Sequence, residues 1–128
     1  MKIAVLGFAA AVLIAGAAYA AADVKGEIDT AEEHLGYSVA AKDITEAHMH
    51  MHHAINCIVG PKGAGFDAAQ INPCAGRGNG AIPDSADAAQ KQKLQAAADE
   101  AQKGLATTDL KAAKQSAEQI IALLEAAE

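Results

Sequence analysis

The segment from position 47 to 53 concentrates the side chains of this sequence that are best suited to bind a metal ion. Four of the five histidines of the chain fall within six residues there: His48, His50, His52 and His53. Two methionines, Met49 and Met51, alternate with them. Imidazole nitrogens bind zinc, copper and nickel, and a thioether adds a preference for Cu(I). The segment therefore predicts a transition-metal site, with copper favoured over nickel and zinc.

Helical periodicity places the polar side chains of this segment on two faces of one helix. At 100° per residue, His48 and His52 lie one turn apart beside an apolar stripe that runs from Ile44 through Met51. This i,i+4 spacing allows two imidazoles to share one ion, as in helical zinc motifs. Met51 is predicted as a core residue, whereas Met49 points outward as a candidate thioether ligand.

The second face offers another set of ligands on the outer side of the helix. Glu46, His50 and His53 follow one another at i, i+4 and i+7, which places one carboxylate and two imidazoles in a row. The fifth histidine, His34, lies level with His50 if a tight turn near 41–43 joins two antiparallel helices. If both side chains turn toward the groove between the helices, they form a ligand pair. If both turn away from it, His34 is an unrelated surface residue. The sequence leaves this choice open.

Four helical segments and one long loop must position these residues. Apolar side chains recur with a period of 3.6 residues, and few β-branched or aromatic residues are present to favour a sheet. The predicted helices span about 24–41, 43–59, 84–106 and 109–127. Asp43 and Glu46 form a capping-box pattern, so that Glu46 could serve as a cap rather than a ligand. The sequence predicts an all-α fold, an antiparallel four-helix bundle built from two αα-hairpins.

The loop between the hairpins, residues 60–83, differs in composition from the helices. It holds six glycines and three prolines, and Cys74 lies in its middle. In an oxidising compartment the default prediction is a disulfide between Cys57 and Cys74, which would tie the loop to the end of the second helix. The alternative is two free thiolates that act as soft metal ligands.

The first 20 residues carry the pattern of a secretory signal peptide. Lys2 precedes an apolar run with a small-x-small end, and cleavage is predicted after Ala20, with Ala22 as the rival site. The mature chain, residues 21–128, is then predicted to be one periplasmic or secreted domain without a membrane anchor. The loss of Lys2 changes the formal charge from −6 to −7, and such an acidic chain is a poor partner for nucleic acid.

The clustered histidines, the abundant alanine and the export signal together resemble the small periplasmic histidine-rich metal-binding proteins of bacteria. The resemblance covers the first two helices and the general composition of the last two. It implies a helical bundle and metal binding. It also implies a ligand role for five residues of this chain: His34, His48, His50, His52 and His53.

Three functions are compatible with these features. The first is binding of a transition metal for buffering, sequestration or delivery, in which exposed ligands could also bridge two chains into a metal-linked homodimer. The second is a protein-interaction module that presents the 60–83 loop to a partner. The third is a haem-binding bundle with His and Met as axial ligands, against which the scarcity of large apolar residues counts. The sequence holds no recognisable catalytic motif, so an enzyme is not expected.

Overall fold

The computed structural model describes residues 22–128 and shows a fully helical fold in that range. Within these residues there are five helices and no strand: α1 (Val24–Ala40), α2 (Ile44–Val59), α3 (Ala81–Asp84), α4 (Ala88–Ala106) and α5 (Leu110–Glu125). The all-α prediction is therefore confirmed. None of these helices combines the length and the apolar character needed to cross a membrane. The predicted signal peptide, residues 1–20, lies outside the described residues.

An aspartate caps the start of each of the four long helices. Each cap carboxylate accepts a hydrogen bond from the backbone N–H three residues further along, which satisfies one of the donors that a helix start leaves unpaired. The four caps are Asp23, Asp43, Asp87 and Asp109. At α2, Glu46 also accepts a hydrogen bond from the backbone N–H of Lys42 at 2.7 Å, so its carboxylate serves the helix start.

The four long helices form two hairpins that pack against each other. The helix α1 pairs with α2 and α4 pairs with α5, and the hairpins meet where α1 contacts α5 and where α2 contacts α4. Alanines such as Ala54, Ala101 and Ala117 are fully buried at these contacts, which lets the helices approach closely. This is the packing expected of the predicted bundle. Since α2 contacts every other helix, it is the central element of the fold.

The start of the third long helix differs from the sequence-based expectation. A helix from about 84 was expected, but the chain forms the short α3 first and α4 begins only at Ala88. Asp84 does not cap α4, because its carboxylate accepts hydrogen bonds from the backbone and side-chain N–H groups of Asn79, at 2.6 and 3.0 Å. Asp87 takes the capping position instead, after Ser85 has left the helical conformation.

The loop after α2 is fixed to that helix by covalent and hydrogen bonds. Cys57 and Cys74 form a disulfide, as predicted, so the alternative of two free thiolate ligands is wrong. The fully buried side chain of Asn56 donates to the carbonyl groups of Asp67 and Ile71 and accepts from the N–H of Asp67, at 2.9 to 3.1 Å. The loop is therefore held along the C-terminal half of α2.

Candidate metal centre

Three histidines from two helices meet in the groove between α1 and α2. His34 comes from α1, whereas His50 and His53 lie three residues apart on one face of α2. The Nδ1 atoms of His34 and His50 are 3.5 Å apart. One ring nitrogen from each of the three residues lies within 4.8 Å of the other two. The structure thus places three imidazole nitrogens around one point, and this histidine cluster could hold a metal ion.

The orientation of these side chains answers the question that the sequence left open. His34 and His50 turn toward their shared groove, where they face each other. The outward placement of His53 was wrong, because only 6% of His53 is exposed. The helical wheel assumed a single buried stripe, whereas α1 covers one further flank of α2 and the loop covers another.

Aromatic contacts fix the rings of the cluster against one another. His53 meets both His34 and His50 edge to face, with ring centroids 5.0 and 5.6 Å apart. Tyr37, one turn after His34 on α1, packs edge-on against His34 at 5.6 Å and lies 5.2 Å from His50. Edge-to-face packing of this kind is favourable for aromatic rings. The rings are therefore held close together before any ion binds, so fewer side-chain rotations must be frozen on binding.

Burial favours the neutral form of two imidazoles of the cluster, those of His34 and His53. It lowers the pKa of His53 below its ordinary value, and the neighbouring His34, His50 and His52 rings lower this pKa further. Burial also lowers the pKa of His34, and His50 adds to that effect, whereas the carboxylate of Glu33 opposes it. A neutral imidazole keeps a lone pair on one nitrogen, which is the form that binds metals.

One nitrogen of the cluster is buried without a hydrogen bond. Nδ1 of His53 is shielded from solvent, and no group among residues 22–128 is placed to hydrogen-bond to it. Leaving a buried polar atom unpaired costs about 1–3 kcal/mol. A bound ion would remove this cost, because the lone pair of that nitrogen could then become a ligand.

The dimensions of the cluster fit a first-row transition metal. Nitrogen ligands about 2.0–2.1 Å from a tetrahedral ion lie about 3.4 Å apart. The 3.5 Å between His34 and His50 matches that spacing, and a separation of up to 4.8 Å for the third nitrogen requires a modest rotation of one ring. Three nitrogen ligands leave one position on the ion for water or another ligand.

The other predicted ligands lie away from this cluster. The Nε2 of His48 is 3.1 Å from the carbonyl oxygen of Gly104 at the end of α4, and Nδ1 of His52 is 3.5 Å from the carboxylate of Asp67. Met49 is 38% exposed on the same flank. Met51 is fully buried in the core, as predicted. Glu46, at the other end of α2, is occupied as a cap and lies outside the cluster.

Sequence reasoning missed two residues that shape these histidines. Tyr37 could have been found, because a residue at i+3 from His34 faces the same groove. Asp67 lies in the loop, and no periodicity connects a loop residue with a helix face. Its position beside His52 depends on the hydrogen bonds of Asn56 that anchor the loop backbone.

Comparison with known proteins yields no relative for this chain. It matches no protein-family description, no curated protein and no solved structure. The resemblance to the histidine-rich periplasmic proteins therefore stays a prediction, and the site must be interpreted from its own geometry.

Proposed function

We propose that this protein binds a transition-metal ion in the periplasm through the histidine cluster of His34, His50 and His53. The observation that carries the proposal is the convergence of three imidazole nitrogens, one each from His34, His50 and His53, from two helices. The buried and unpaired Nδ1 of His53 supports it. Copper is favoured and nickel or zinc are the alternatives, because nitrogen ligands bind Cu(II) more tightly than the other divalent first-row ions. The disulfide between Cys57 and Cys74 supports an oxidising compartment.

Exchange of the ion is the role that suits this ligand set. Structural zinc sites close the ion off with four protein ligands, whereas a site with three ligands keeps a position open. His34 and His50 are only partly buried, so an incoming chelator or partner could reach the ion. These features favour buffering, sequestration or delivery of the metal over a permanent structural role.

Metal titration of the untagged protein tests this proposal. Isothermal titration with Cu(II), Ni(II) and Zn(II) should show binding that the H34Q/H50Q variant weakens by about tenfold or more. The matched control is H48Q/H52Q, which removes two histidines from the same helix and leaves the cluster complete. Equal binding by wild type and H34Q/H50Q would refute the proposal.

The native metal follows from a separate measurement. Protein isolated from its own periplasm without an affinity tag should carry copper in excess of nickel and zinc by elemental analysis. Predominant zinc would replace copper as the ion in this proposal. The interaction-module and haem-binding alternatives stay predictions of the sequence, since the geometry of the cluster favours neither.

A further inference from the structure

The opposite flank of α2 carries a second pair of histidines beside a cavity. His48 and His52 lie one turn apart there, and with Met49 they line an open cavity of about 490 Å³. Gln70 of the loop and Thr108, between α4 and α5, form part of its remaining wall. This flank faces the loop and the second hairpin, whereas the histidine cluster faces α1.

Each histidine of this pair has one ring nitrogen close to an oxygen that can only accept a hydrogen bond. The carbonyl oxygen of Gly104, 3.1 Å from Nε2 of His48, requires the proton on that nitrogen and leaves the lone pair on Nδ1. The carboxylate of Asp67, 3.5 Å from Nδ1 of His52, favours the proton there and leaves the lone pair on Nε2.

Metal-binding histidines usually have a partner of this kind beside the ring nitrogen that does not bind the metal. A ligating imidazole donates its other N–H to a carboxylate or a backbone carbonyl, which fixes the tautomer and the ring orientation. His48 has the carbonyl and His52 has the carboxylate. Nδ1 of His52 is shielded from solvent and makes no hydrogen bond within the described residues, so the Asp67 carboxylate 3.5 Å away acts on it as a nearby charge.

We propose that His48, Met49 and His52 form a second metal site, which binds Cu(I) through Nδ1 of His48, Nε2 of His52 and the thioether of Met49. The thioether decides the oxidation state, because soft sulfur ligands select Cu(I) over divalent ions. This inference deepens the proposed function and rests on it for the class of ligand, but it depends on none of the same residues. The protein would then hold two ions, one on each flank of α2.

The alternative for these histidines is a purely structural role. Under that alternative His48 joins α2 to the end of α4, and His52 supports the loop through Asp67. Met49 decides between the two interpretations, because it is 38% exposed and contributes little to the core. Removing its sulfur should change Cu(I) affinity only if the sulfur is a ligand.

Anaerobic titration with Cu(I) tests the second site. The ion is supplied as an acetonitrile complex, so that no thiol reductant is needed that could reduce the disulfide. A chromophoric Cu(I) chelator competes with the protein and reports how much Cu(I) the protein binds. Wild type should bind one Cu(I) ion more than H48Q/H52Q, whereas H34Q/H50Q should keep the Cu(I) ion of the second site. The Met49→Leu variant should bind that ion roughly tenfold more weakly. Met51→Leu is the matched control, because it removes a sulfur from the buried side of the same helix.

The outcomes separate this inference from the proposed function. Equal numbers of Cu(I) ions bound by wild type and H48Q/H52Q, or equal affinities for Met49→Leu and Met51→Leu, would overturn the second site. Equal Cu(II) and Zn(II) affinities of wild type and H34Q/H50Q would instead overturn the histidine cluster and leave the second site standing. Glutamine keeps an N–H donor for Gly104, and circular dichroism checks that each variant stays helical. If H48Q/H52Q does not fold, the two methionine variants decide.

Discussion

The two hairpins of this protein share a fold but differ in what they bury. The α1–α2 hairpin buries Glu27, Ser38, His53 and Asn56, whereas every buried residue of α4 and α5 is apolar or glycine. Buried polar groups cost stability unless they are paired. Of this set, only Oε2 of Glu27 and Nδ1 of His53 lack a hydrogen bond within the described residues, so the first hairpin combines the candidate metal ligands with two unpaired polar atoms that weaken it.

The difference also explains where the cross-links lie. The disulfide and the hydrogen bonds of Asn56 hold the loop against α2, and Glu27 Oε1 accepts a hydrogen bond from the backbone N–H of Gly80 at 2.9 Å. Within the described residues, α4 and α5 are joined by no disulfide, and their side-chain link between Ser116 and Glu100 is only partly buried. The hairpin with the buried polar groups is thus the one that the loop reinforces.

Removing the disulfide should cause the largest loss of stability. Cys57 and Cys74 are 17 residues apart, and a cross-link over a loop of this length contributes about 3 kcal/mol in the chain-entropy model. The C57A/C74A variant should lower the free energy of unfolding in urea by about that amount. A difference of less than about 1 kcal/mol would mean that the hydrogen bonds of Asn56 suffice to hold the loop.

Binding of Zn(II) should stabilise the fold by nearly as much. An ion that binds only the folded state at 100 times its dissociation constant adds about 2.7 kcal/mol. The thermal unfolding temperature should therefore rise with Zn(II) in wild type and stay unchanged in the H34Q/H50Q variant. Equal shifts in both proteins would show that the ion does not bridge α1 and α2 through His34 and His50.

Replacing the buried Glu27 should stabilise the protein at alkaline pH. The pKa of Glu27 is raised from 4.5 to about 7, mainly by burial and also by the nearby carboxylates of Asp84 and Asp23, whereas the Gly80 N–H and Arg77 oppose the shift. The folded state therefore binds the proton more tightly than the unfolded state. This contribution to stability is full below pH 4.5 and is lost as the pH rises through about 7.

Glu27→Gln should accordingly gain about 1 to 3 kcal/mol over wild type at pH 8 and little at pH 4. The amide oxygen can still accept the hydrogen bond from Gly80. The matched control is Glu118→Gln on the exposed face of α5, which should be nearly neutral at both pH values. Urea unfolding of the three proteins at each pH gives the comparison, and a pH-independent difference between Glu27→Gln and wild type would contradict it.

The helices and the disulfide were predictable because their signals are local or chemically limited. Asp43 with Glu46, and Gly60 after Val59, mark the ends of α2 within a residue. A pair of cysteines in a chain with a predicted export signal offers one intramolecular pairing, which the structure contains. The short turn between α1 and α2 was enough to predict that His34 lies at the same height along the hairpin as His50.

The direction of the histidines was not predictable, because it depends on what covers α2. The helical periodicity of the sequence predicted one apolar stripe on α2. In the structure nearly every residue from Met51 to Val59 is buried, by α1, the other helices or the loop. The position of Asp67 beside His52 depends on the loop path, which the buried Asn56 fixes. The helix start was expected near Asp84, and the hydrogen bonds from Asn79 to Asp84 show why Asp87 caps α4 instead.

The smallest predicted effects compare one glycine from each hairpin. Gly36 is exposed in α1, and a Cβ there would meet nothing within 4 Å in the described part of the chain. Gly36→Ala should therefore stabilise the protein by about 0.5–1 kcal/mol through helix propensity alone. A Cβ on the buried Gly104 of α4 would lie 2.7 Å from the sulfur of Met51 and 2.8 Å from Cβ of Ser116.

Overpacking of that kind costs about 1–3 kcal/mol, which exceeds the gain of about 1 kcal/mol in helix propensity. Gly104→Ala should therefore lose stability, by about 1 kcal/mol, where Gly36→Ala gains it. Urea unfolding of both variants measures the two signs. The contrast follows from the central position of α2, because Gly104 lets α4 approach Met51 while Gly36 faces solvent. A gain in stability for Gly104→Ala would show that the two hairpins can separate without cost.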